Sequence, residues 1–85
     1  MPTREELEDE DHRLRQLRIA VSLALNVIGQ TEMSVAQAQE LVSATRSMAL
    51  RLFPGKELAF DLIYLPRFRR LMAERFGVYR PILQG

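Results

Sequence analysis

Glu5, Glu8, Asp9 and His12 stand at i, i+3, i+4 and i+7, a spacing that gathers four side chains on one face of a helix. Three carboxylates and an imidazole suit a hard divalent cation. Helical metal sites, however, draw their ligands from two or more helices, and the rest of the chain offers only the scattered Glu40, Glu57 and Asp61. His12 is therefore read as a surface residue beside Glu8, and no metal site or cofactor is expected. Nucleophilic catalysis needs an activated Ser, Cys or Lys beside a base. Here there is one His, one Lys and no Cys, and the serines (Ser22, Ser34, Ser43, Ser47) fall in helical patterns or at a cap. The glycines stand alone at 29, 55, 77 and 85, so a glycine-rich phosphate loop is absent. The chain is not expected to be an enzyme.

A second cluster, Leu65-Pro66-Arg67-Phe68-Arg69-Arg70, is basic with an aromatic inside it. Nucleic-acid binding would set the arginines on phosphates and stack the aromatics on bases. Helical spacing splits the cluster. Phe68, Leu71, Met72 and Phe76 form one stripe and are expected to be core, which leaves Arg67 and Arg70 exposed opposite it, with Arg69 nearer the edge. Arg67 and Arg70 are the candidate nucleic-acid contacts. Against that use stand a pI near 8.3 and an acidic first helix that would repel phosphates.

These side chains must be positioned by helices. Thr3 and Glu6 form a capping-box pattern opening the first helix, and its acidic first turns suit the helix dipole. Asp9–Arg13 and Asp11–Arg15 sit at i,i+4 spacing with the acid first. Leu7, Leu14, Leu17, Val21, Ala24 and Ile28 follow heptad a and d positions, broken by Glu10. Gly29 is expected to close the helix as a C-terminal cap. The second half of this helix is apolar on more than one face: Ile19, Leu23 and Val27 lie opposite the main stripe, so apolar residues cover roughly two thirds of the circumference. Either the helix runs through the middle of the fold, or the second face packs on another chain.

Ser34 and Gln37 open a second helix reaching about Leu52, amphipathic and antiparallel to the first. Phe53-Pro54-Gly55 breaks the chain. A third segment begins near Lys56, with Leu58, Ala59, Leu62, Ile63 and Leu65 apolar and Phe60 and Tyr64 on a neighbouring face. Pro66 either kinks that helix or begins another; the favoured reading is a short third helix and a fourth from Pro66 to Phe76, closed by Gly77. No run alternates with period two, so strands are not expected. The fold class is all-α: a small bundle with a long first helix, an antiparallel second and a Pro-broken third and fourth region. Residues 1–77 make one domain and 78–85 an extended tail, whose Tyr79, Ile82 and Leu83 either dock in a groove on this or another chain or cover the end of the bundle.

A chain 47 % hydrophobic and 27 % charged has the composition of a globular protein. Eighty-five residues give one small core, so a partner is a reasonable source of further burial. Without cysteine there is neither a disulfide nor a thiolate metal site. The acidic amino terminus lacks a signal-peptide pattern, and the apolar stretch Ile19 to Ile28 is about half the length of a membrane span, so a cytoplasmic protein with no membrane partner is expected. Net charge is +1 but uneven: residues 1–12 carry −5 and residues 67–85 carry +4. The expected function is a non-catalytic protein-interaction module, a helical adaptor or regulator that binds itself as a dimer or a foreign protein partner through Ile19, Leu23 and Val27. The alternative is a small nucleic-acid-binding regulator using Arg67 and Arg70.

Overall fold

The computed structural model describes residues 1–77, and they form four helices: α1 (Arg4–Gln30), α2 (Val35–Leu52), α3 (Glu57–Ile63) and α4 (Leu65–Phe76). Both capping boxes close. The Glu6 amide donates to Thr3 Oγ1 at 3.1 Å and the Thr3 amide to Glu6 Oε1 at 3.3 Å; Ser34 and Gln37 repeat the exchange at 3.1 and 2.9 Å. These bonds satisfy amides that the first turn of a helix otherwise leaves without partners.

Gly29 does not cap α1. It lies within the last turn, and the cap is Thr31 in extended conformation. Gly29 faces Leu71 of α4: a Cβ built on it would sit 3.7 Å from a Leu71 methyl, so the residue lies at a helix–helix contact rather than in a left-handed turn. The left-handed conformation occurs instead at Gly55 (φ 80°), in the turn after α2, and at Gly77 (φ 67°), which ends α4. Pro66 occupies the first turn of α4, where its missing N–H costs no hydrogen bond. Between α3 and α4, Tyr64 keeps a right-handed helical backbone and serves as the boundary of both.

α1 and α2 form an antiparallel hairpin whose open end brings the Arg13 guanidinium 5.7 Å from the centre of the Phe53 ring. α4 lies across both. At its end Arg75 Nη2 donates to the Thr31 carbonyl at 2.7 Å, so α4 runs in the direction of α1. The core draws Leu17, Val21, Ala24 and Ile28 from α1, Ala38 and Ala49 from α2, Phe60 from α3, and Phe68 and Met72 from α4. Phe68 and Met72 of α4 lie beside Val42, Ser43 and Arg46 of α2, while Ala49 lines a groove with Leu14, Leu17 and Phe60 on the other side of α2. Thr45 is buried, and its hydroxyl donates to the Leu41 carbonyl at 2.8 Å, removing the penalty of an unpaired buried hydroxyl.

The bundle does not use all of α1. Every residue from Arg4 to His12 is exposed, and burial begins at Arg13 and Leu14. About 14 Å of helix, at 1.5 Å per residue, therefore projects past the core. Leu7, the first position of the heptad stripe, lies on this projection and is half exposed rather than buried, because no other helix extends far enough to cover it.

Candidate functional site

The outward face of α1 is the first candidate surface. Ile19 and Leu23 are both 60 % exposed, while Val27, further round toward α2, is half-buried. The apolar arc of α1 thus does not run through the middle of the fold. Leu17, Val21, Ala24 and Ile28 meet the core, and the opposite side is bare. Along this bare side the sequence continues as Gln16, His12 and Glu8 toward the amino end and as Asn26 and Gln30 toward the other.

A second apolar surface lies on α3. Leu58 is 71 % exposed and Leu62 68 %, with Ile63 more than half exposed beside them. Phe60, on the other side of the helix, is buried at 4 %, its ring 5.6 Å from that of Tyr64. Ala59 and Ile63 also wall an apolar groove of about 210 Å³ that runs to Leu14, Leu50 and Phe53, with Leu17 and Phe60 among the residues lining it and Lys56 the one charged residue there. Beyond the core contact of Phe60, an ion pair anchors α3. Arg46 of α2 donates to Asp61 through Nε at 2.8 Å and Nη2 at 3.0 Å. This bidentate hydrogen bond, more than the charge attraction that accompanies it, holds the Asp61 carboxyl below its ordinary value and raises Arg46 above its own.

The arginines of α4 form the third surface. Phe68 and Met72 are buried, and Arg67, Arg69, Arg70 and Glu74 are exposed. Arg67 is not free of aromatic contact, since its guanidinium lies 5.6 Å from the centre of the Tyr64 ring. Arg67 and Arg70 also line a recess with Asn26, Gly29 and Gln30 of α1, and Arg67 shares a smaller one with Arg18 and Ser22. The fold therefore brings the two sequence-predicted arginines to the edge of the bare α1 face.

The acidic residues of the projecting segment remain local. Arg4 pairs with Glu8 and Asp9 with Arg13, each at 3.5 Å; among the described residues Asp11 and Arg15 close no such pair. No group of three or more His, Asp or Glu side chains among the described residues is placed to hold a metal ion, and no described helix is long and apolar enough to cross a membrane. Tyr79, Ile82 and Leu83 lie outside the described residues.

Sequence reasoning missed the exposure of the α3 stripe and the Arg46–Asp61 pair. The i,i+4 spacing of Leu58 and Leu62 was visible, but so was that of Phe60 and Tyr64, and in a helix of seven residues neither pattern outranks the other. Nothing local to Arg46 or Asp61 points to their pairing. No protein-family model, curated protein sequence or solved structure matches this chain.

Proposed function

We propose that this chain is a small non-catalytic protein-interaction module of the cytoplasm that self-associates through the outward face of α1. The observation that carries the reading is the exposure of Ile19 and Leu23, one turn apart, on the side of α1 opposite the core. A magnitude sets the strength of the association. Burying a large aliphatic side chain from full exposure contributes about 1.5–3 kcal/mol. Two such residues in each of two copies, with 60 % of each available, supply roughly 4–7 kcal/mol on that scale. Loss of translational and rotational freedom on association costs about 4–15 kcal/mol. The apolar pair alone offsets only the lower part of that cost, so the dimer is weak unless flanking groups add to it.

The test is sedimentation velocity across roughly three decades of protein concentration, on the parent and on Leu23→Asp. The parent is expected to shift from monomer to dimer, and the variant to remain monomeric with unchanged helical circular dichroism. A parent that stays monomeric at the highest concentration refutes the reading.

The alternative, a nucleic-acid-binding regulator, draws on the exposed Arg67 and Arg70 with Arg18 close by. It requires DNA or RNA binding that weakens steeply with salt and falls when Arg67 and Arg70 become Ala. Failure to bind at low salt removes it.

A further inference from the structure

We infer that the occupant of the bare α1 face is a second copy of this chain running antiparallel, its acidic projection laid along the α4 end of the first. This rests on the self-association proposed above and adds its orientation and its second set of contacts.

Toward the amino end, the helical positions in line with Ile19 and Leu23 are Gln16, His12, Glu8, Asp9 and Glu5, all exposed. Residues 1–12 carry a charge of −5. A parallel pair would set two such segments side by side along the projecting length, with no basic element of the bundle between them, because packing begins only at Arg13. Like charges held together in this way oppose assembly.

An antiparallel pair removes that repulsion. With Ile19 of one copy opposite Leu23 of the other, residue 12 falls level with residue 30, the last of α1, and residues 9, 8 and 5 reach about 5–10 Å past it, alongside the end of α4. That end of the bundle carries Arg70, lining the recess with Gly29 and Gln30, and Arg75, at Thr31. Glu74 and Glu32 offset part of this charge, and Arg67 stands one turn back along α4, away from that end, beside Arg18 and Ser22. The capped amino terminus of α2 stands at the same end of the bundle, and its first turn adds no acidic residue. The projection, which packs on no other described helix of its own bundle, thus lies toward the arginines at that end of the second copy. By two-fold symmetry the contact is made twice.

The chain contains no cysteine, so Glu8→Cys gives a single site for a spin label. Residue 8 lies 13 residues from the midpoint of Ile19 and Leu23. At 1.5 Å per residue the two labels of an antiparallel dimer are about 40 Å apart, against about 10 Å, one interhelical distance, in a parallel one. Pulsed electron spin resonance on the intact chain, at a concentration where sedimentation shows dimer, is expected to give the long distance. As a second readout, the combined variant Glu5→Gln, Glu8→Gln, Asp9→Asn is expected to weaken the dimer about 3- to 10-fold. A dimer with labels near 10 Å, or one tightened by that neutralisation, overturns the orientation while leaving self-association intact. A chain that remains monomeric overturns both. So does an assembly that survives Leu23→Asp and is lost on Leu62→Asp, since its contact surface would be α3.

Discussion

α3 offers a decisive test of the fold because its two faces are both apolar and only one is buried. Phe60 is 4 % exposed, whereas Leu58 and Leu62, on the far side of the same helix, are 71 and 68 % exposed. Phe60→Ala removes most of a buried ring and leaves a cavity beside Leu17 and Ala49, a change that costs about 3–5 kcal/mol. A domain of this size has a total stability of roughly 4–13 kcal/mol at 0.05–0.15 kcal/mol per residue, so the variant loses about a quarter or more of it. At about 4–8 °C per kcal/mol for a small domain, the midpoint falls by 12 °C or more. Leu58→Ser and Leu62→Ser, each exchanging a solvated side chain, are expected to change stability by no more than about 0.5 kcal/mol. Thermal and urea unfolding followed by circular dichroism at two protein concentrations measures all three, the second concentration separating stability from assembly. If Leu62→Ser costs more than Phe60→Ala, α3 docks through its leucines and the packing described here is wrong.

Two further outcomes follow from the anchors of the helices. The Asp61 carboxyl is held below its ordinary value by Arg46, so its stabilising contribution is fully present above about pH 4 and is lost as the pH falls below that. Amide exchange in α3 is expected to accelerate over that range more than exchange in α1 or α2, and Asp61→Asn is expected to abolish the difference. Gly77 ends α4 at φ 67°, a conformation a Cβ disfavours by roughly 1–2 kcal/mol. Gly77→Ala is therefore expected to lower the thermal midpoint by several degrees, whereas Gly29→Ala, at an ordinary helical position with 3.7 Å to the nearest atom, is expected to leave it unchanged or raise it.

Much of this architecture was legible because its signals are local. Thr3 with Glu6 and Ser34 with Gln37 mark two helix starts by side-chain chemistry alone, and Pro54-Gly55, Pro66 and Gly77 mark the breaks. The division of α4 into buried Phe68 and Met72 and exposed arginines followed from spacing within one helix. The misplacements have non-local causes. Gly29 reads as a cap until Leu71, 42 residues on, is known to lie against it. Leu7 reads as core until α2 is seen to end level with Arg13. The bare face of Ile19 and Leu23 was visible as surplus, but whether the surplus faced a neighbouring helix or solvent depended on how many helices surround α1. Two of them pack on it, α2 and α4, and they cover one side.

The bond from Arg75 to the Thr31 carbonyl bears on the order in which the fold is completed. The last turn of α1 has no basic residue of its own; Thr31 answers the Val27 carbonyl through its amide and hydroxyl, and the Thr31 carbonyl is answered by a side chain 44 residues later. A nascent chain that has reached Phe53 can close the α1–α2 hairpin through neighbouring contacts. It still lacks Phe68 and Met72, the two large side chains that α4 brings against α2, and it lacks Arg75. α4 both fills the core and fastens the end of the first helix. A chain lacking α4 would therefore uncover Val21, which lines a recess with Arg67, beside Ile19 and Leu23, which stay exposed in the whole bundle.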